Sequence, residues 1–173
     1  IVIKTKYGNV LHSGDWNLDP KPVVGKPTNG DFFKSVGEEG LLAYVGDSTN
    51  AEVDGYSGSE SDVQKGLEAE FKKCGGRIVV TSFSSNIGRV KSIAKAAQAC
   101  GRSVAVIGRS LHRMIGCAFE QGLLDGVTDF VDESDIELIP DEQIVVIVTG
   151  SQGEYRAALA KIARGEMKLF STR

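Results

Sequence analysis

The chain is poor in the residues that build metal and disulfide sites. It holds two histidines, His12 and His112, and three cysteines, Cys74, Cys100 and Cys117, with no Cys-x-x-Cys pair. A zinc site made wholly from this chain is therefore not expected. The odd cysteine number and wide spacing exclude a disulfide framework. Each cysteine falls on an expected helix and reads as a buried reduced thiol of a cytoplasmic protein. No apolar run approaches the roughly 18 residues of a membrane span, and no signal peptide opens the chain, so no membrane partner is expected. Prolines number only 4, against 41% apolar and 25% charged residues, which describes a globular chain rather than a disordered or fibrous one. A start at Ile1, without methionine, reads as a piece of a longer protein.

One absence is local and more informative. From Phe71 to Phe119 there is no aspartate or glutamate, while Lys72, Lys73, Arg77, Arg89, Lys91, Lys95, Arg102, Arg109 and Arg113 all fall there. The net charge of −3 conceals this segregation. Surfaces ordinarily mix their charges, so a long block of one sign points to a partner of the other, here a phosphate-bearing ligand. A merely solvated basic face is the other reading.

Residues 1 to 15 read as a hairpin turning at Tyr7-Gly8-Asn9 and ending at Asp15. Residues 17 to 40, rich in Pro, Gly, Lys and Asp, read mostly as loop. The apolar run "LLAYVGDST" (41–49) predicts a buried strand stopping at Gly46-Asp47. Beyond Gly55, strands and helices alternate. Ser61 and Gln64 suggest a capping box ahead of a helical face of Val63, Leu67 and Phe71. The strand "RIVVTSF" precedes a helix with Ile87, Val90, Ile93, Ala94 and Ala97 inward. "SVAVIG" precedes a helix striped by Leu111, Met114, Ile115, Ala118 and Phe119. After an acidic stretch (129–142) come the strand "QIVVIVTG" and the helix "EYRAALAKIARG". Fully apolar strands between amphipathic helices predict a three-layer, Rossmann-like α/β domain with a parallel sheet covered on both faces.

Ligands of such sheets bind outside the carboxyl ends of the strands. Three of those ends read "SFSSN" (82–86), "GRS" (108–110) and "TGSQGE" (149–154), each rich in hydroxyls, glycine or amides and each followed by a helix start. Helix N-termini favour anions. The candidate phosphate contacts are Ser84, Ser85, Asn86, Arg89, Arg109, Ser110, Ser151, Gln152 and Gly153, with the backbone of Gly150 to Gly153 as an anion nest. In any single loop these groups are ordinary caps; three loops beside an acid-free block are a stronger signal. No G-x-G-x-x-G follows the first strand and there is no Walker A lysine, which leaves a dinucleotide or P-loop site unsupported. Asp15 and Asp47 each end an apolar run directly after a glycine. They suit metal bridging or the orientation of a histidine. A turn or cap role accounts for them slightly better on position alone. His12 should face away from Asp15, and His112 should face solvent.

"HSGDW", "GDSTNAE", "GRIVVTSFSSNIGRV", "VAVIGRS" and "VIVTGSQGE" together resemble ribonuclease J, of the β-CASP branch of the metallo-β-lactamase superfamily, in order over nearly the whole chain. The resemblance implies that residues 1–50 are the last strands of a metallo-β-lactamase half and residues 51–173 a β-CASP domain. It implies an RNA phosphodiester hydrolase, exonuclease or endonuclease, acting on single-stranded RNA with two zinc ions. Asp15 would be a bridging zinc ligand and Asp47 a support for a catalytic histidine. The remaining ligands would lie outside the chain, so no zinc is expected on this fragment alone. A homo-oligomer is left open. The reading from another class is a non-catalytic Rossmann-like module binding a nucleotide or small phosphorylated ligand. Asp15 and Asp47, needed only by the nuclease, discriminate the two.

Overall fold

The computed structural model describes residues 1–167, which divide into two compact units. The first comprises Ile1–Lys21 and Lys26–Ser59, and the second Pro22–Gly25 and the chain from Glu60 onward. In the first unit, β1 (Val2–Thr5) and β2 (Gly8–Gly14) form an antiparallel hairpin, and β3 (Ala43–Gly46) lies parallel to β2 on its other side. Asp19 closes the unit: its Oδ1 accepts from the Ser59 hydroxyl at 2.6 Å and from the Lys21 N–H at 2.8 Å.

Residues 17–40 are mostly loop, as expected, except that α1 (Gly30–Glu38) occupies nine residues near the end of that stretch. Its signal was present: Asn29 caps the helix by accepting from the Phe32 N–H at 3.1 Å, ahead of a short apolar face. The run at 41–49 does form a strand, but not a buried one. All four residues of β3 are exposed, Tyr44 at 54% and Val45 at 49%. Only Leu11 and Val36 are buried apolar side chains in this unit, so no second layer covers the strand among the described residues.

The second unit is the expected three-layer domain. Its helix α2 (Glu60–Phe71) is followed by β4 (Ile78–Thr81), α3 (Ile87–Ala99), β5 (Ser103–Ile107), α4 (Arg109–Glu120), β6 (Ile144–Val148) and α5 (Ala158–Ala163). The sheet is parallel in the order β4-β6-β5, so the last strand is the central one. Every side chain of β6 is fully buried, as a strand covered on both faces must be. Alternation divides it: Val145 and Ile147 join Val104, Val106, Ile93, Leu111 and Ile115 on one face. Ile144, Val146 and Val148 join Ala105, Ile107, Ile136 and Ala158 on the other. Helices α3 and α4 thus cover one face, and α5 with a 3-10 turn at Glu133–Leu138 covers the opposite one.

Local corrections follow from the capping chemistry. Ser61 lies inside α2 rather than capping it, and Gln64 donates to Glu68 at 3.1 Å instead of closing a capping box. The final helix begins at Ala158, leaving Glu154 to Arg156 in the turn before it. Nor are the cysteines buried helix residues: Cys74 follows α2, Cys100 caps α3, and only Cys117 is helical. Cys74 and Cys117 are exposed. No helix among the described residues is long and apolar enough to cross a membrane.

The central strand should dominate stability. Ile147→Ala leaves a cavity on the main core and should cost about 2–5 kcal/mol. Val45→Ala, on exposed β3, should stay within about 0.5 kcal/mol. Urea unfolding of both variants, followed by a probe of the second unit for the first, checks the contrast; equal losses would contradict the burial pattern.

Candidate functional site

In the first unit, the parallel pairing of β2 and β3 ends at Gly14 opposite Gly46. The Asp47 N–H donates to the Gly14 carbonyl at 3.3 Å, so Asp15 and Asp47 leave adjacent strand ends. Trp16, following Asp15, donates its indole N–H to the Asp47 carbonyl at 3.0 Å. The structure therefore brings together two aspartates that lie 32 positions apart. Asp47 also closes its own turn: Oδ1 accepts from the Thr49 hydroxyl at 2.5 Å and the Thr49 N–H at 2.9 Å. The hydroxyl first, then the N–H, hold its carboxyl below the ordinary value of 3.8. The His12 Nδ1 accepts from the Gly14 N–H at 3.2 Å, a local contact. Among the described residues no group of three or more His, Cys, Asp or Glu side chains is placed to hold a metal. The carboxylates present are hard donors of the right kind for a divalent ion, and they form only part of a site.

In the second unit, the register puts Thr81 and Ile107 on either side of Val148, so three strand ends stand level along one edge. The loops they feed are the three singled out from sequence. Gly108 (φ 130°) and Gly150 (φ 124°) make two of the turns in backbone regions that favour glycine. At Gly150 an added Cβ would also sit 2.9 Å from that of Leu159.

The candidate contacts do not all remain available. Arg89 is held by Glu60, Nε to Oε1 at 2.7 Å and Nη2 to Oε2 at 3.2 Å, and this bidentate bond raises its already high pKa. Asn86 spends its side-chain oxygen capping α3, accepting from the Arg89 N–H at 2.9 Å. The expected nest is partly filled from within: Gln152 N–H donates to Glu154 at 3.0 Å and Gly153 N–H to the Gly150 carbonyl at 3.2 Å. Ser85, Ser151, Gln152 and Gly153 are exposed, and Ser84 is half-buried.

The acid-free block is likewise less free than its sequence suggests. Arg77 pairs with Asp141 at 2.7 Å and Lys73 with Glu70 at 2.6 Å. Lys91 donates to the Leu123 carbonyl at 2.9 Å. Arg102, 8% exposed, donates to the carbonyls of Gly76 and Cys74. Two members of the block, Arg109 and Arg113, lie elsewhere, at the carboxyl edge. A cleft of about 690 Å³ opens between the ends of β5 and β6, with Arg109, Ser110, His112 and Arg113 on the α4 side, Arg156 and Lys161 on the α5 side, and Glu133 as its acid. Arg109, Arg113, Arg156 and Lys161 form no ion pair among the described residues. The carboxyl of Asp132 is held below its ordinary value by the Ser134 N–H and hydroxyl first, with His112 the last contribution.

The model of the ribonuclease J beta-CASP domain matches residues 75–173, more than half of the chain. The chain belongs to the ribonuclease J family. It is 48% identical to the Ribonuclease J of Sinorhizobium meliloti over 97% of its own length, 42% identical to that of Mycolicibacterium smegmatis over 96%, and 37% identical to that of Thermus thermophilus over 94%. It spans 30%, 30% and 28% of those three relatives. The ribonuclease J match begins at residue 75, inside the second unit.

Reasoning from sequence missed Arg156 and Lys161, which lie outside the acid-free block, and gave Arg113 no role. A signal existed for Arg113, four residues after Arg109 and so on the same helical face. Nothing in the sequence placed Arg156 and Lys161 opposite them.

The Asp47 turn gives a pH prediction. A depressed folded pKa means that the hydrogen bonds contribute fully above 3.8 and are lost as pH falls through the lower folded value. Carboxyl-carbon NMR should find Asp47 titrating below 3.8, and Thr49→Ala should move it back toward that value. An unmoved midpoint would remove the Thr49 hydroxyl as the cause.

Proposed function

We propose that this chain is part of a cytoplasmic metal-dependent ribonuclease that hydrolyses single-stranded RNA, with exonuclease, endonuclease or both activities. Its first unit belongs, in this reading, to the metallo-β-lactamase half and its second to the β-CASP domain. The observation that carries the proposal is that Asp15 and Asp47 directly follow the paired strand-end residues Gly14 and Gly46, joined to family membership and a cationic carboxyl edge in the second unit. A purely nucleotide-binding module has no use for the two aspartates.

Asp15 would hold zinc together with ligands from outside the chain. A bound zinc pair supplies Lewis acidity toward a phosphoryl oxygen. The other residues bind and orient. Asp47, fixed by Thr49 and by the Trp16 indole, presents its second carboxylate oxygen to a neighbouring donor such as a histidine N–H. On the second unit, Arg109 offers the sugar-phosphate strand a charge-assisted contact at the first turn of α4, with Ser84, Ser85, Ser110 and Ser151 as neutral donors. Arg89 acts through Glu60, tying α2 to α3 behind the β4 loop. Phosphate contacts dominate single-strand binding, so affinity should fall steeply with salt.

The test is Asp15→Ala in the intact protein. Cleavage of 5′-monophosphorylated RNA should be abolished while RNA affinity stays within a few-fold, because the lesion falls on the chemical step. Full activity with unchanged zinc content by elemental analysis would remove Asp15 from the metal site and the reading with it.

A further inference from the structure

The topology of the second unit produces a crevice for a physical reason. After β5 the chain enters α4, whose Leu111 and Ile115 pack on one face of the sheet. After β6, its neighbour, the chain leads to α5, whose Ala158 packs on the other face. Two adjacent parallel strands whose connections leave to opposite faces cannot close the gap above them. This is a topological switch point, the place where open α/β sheets take ligands. The cleft of about 690 Å³ lies there, and its size falls within the range of small-molecule sites.

The lining gives the chemistry. Four cations, Arg109 and Arg113 from α4 and Arg156 and Lys161 from the segment after β6, converge from both sides without ion-pair partners among the described residues. Such a concentration of like charge is unfavourable unless an anion completes it. Among the described residues the single lining carboxylate is Glu133, within the acidic stretch 129–142. A compact ligand with phosphate at one end and hydroxyls at the other fits both walls, the phosphate on the cations and the hydroxyls donating to Glu133.

We propose that the β5–β6 crevice is a binding site for a free ribonucleoside monophosphate, with its phosphate held by Arg109, Arg113, Arg156 and Lys161 and its ribose hydroxyls by Glu133. The site goes beyond the ribonuclease reading and does not require it, since a nucleotide-binding module would use the crevice in the same way.

Titration calorimetry of the intact protein with adenosine 5′-monophosphate, uridine 5′-monophosphate, inorganic phosphate and a short single-stranded RNA tests it. Both nucleotides should saturate the protein, and Arg156→Ala and Lys161→Ala should each weaken them about ten-fold, the loss of one charge-assisted phosphate contact. Lys72→Ala, remote from the crevice, should leave them unchanged. Glu133→Gln should weaken the nucleotides while inorganic phosphate binds as before. Absence of saturable nucleotide binding, or binding indifferent to both Arg156→Ala and Lys161→Ala in variants with unchanged circular dichroism, overturns the proposal. So does loss of RNA binding alone, which would make the crevice part of the strand's path. Nucleotide binding without RNA binding would uphold the crevice and count against the ribonuclease reading. Asp15-dependent cleavage with no nucleotide bound would do the reverse.

Discussion

The second unit depends on one strand. β6 is inserted between β4 and β5, hydrogen-bonded to both, and its five side chains are wholly withdrawn from solvent. Fully burying a Val or Ile side chain stabilises by about 1.5–3 kcal/mol, so this strand anchors both hydrophobic layers at once. The same pairing also has a geometric consequence. Because Thr81, Val148 and Ile107 lie in register, the three loops that follow them share one edge and can address one ligand. Core and site are therefore products of the same ladder.

Charge is distributed by a second logic. Cations near the amino-terminal edge are absorbed structurally: Arg77 by Asp141, Arg102 by backbone carbonyls, Lys73 by Glu70. Arg102 shows the reason most clearly, since a guanidinium almost removed from water must have its donors satisfied. Arg89 is neutralised by an acid eleven residues upstream of the acid-free block. At the carboxyl edge Arg109, Arg113, Arg156 and Lys161 find no such partners among the described residues, so positive charge gathers there despite the chain's net charge of −3.

The first unit has a different balance. Its three-stranded sheet leaves β3 exposed and buries little, yet it sets Asp15 and Asp47 directly after neighbouring strand ends. Parallel pairing makes strand ends coincide, and the backbone hydrogen bond from the Asp47 N–H to the Gly14 carbonyl holds the two turns side by side. The Asp47 side chain is further immobilised by Thr49, two residues on, an Asx turn of the kind that short polar residues favour.

Much was legible locally. The apolar strands at 78–81, 103–107 and 144–148, the inward face of α3, and the glycines that end the strands follow from period and residue type, because those depend only on neighbours along the chain. So does the family resemblance, carried by short strings such as "SFSSNIGRV" and "TGSQGE". Strand order, burial and partnership were not legible, since each is a relation between distant segments. An apolar run reads the same whether or not another layer covers it, so β3 looked buried and is exposed. An arginine reads as free until the fold sets Glu60 against it, and Arg156 reads as unremarkable until β6 enters the middle of the sheet and sends the chain to the opposite face. The sequence by itself determined the elements and the chemistry available at their ends. Only the tertiary structure decided which charges cancel and which converge, because electrostatic partnership depends on distance in space.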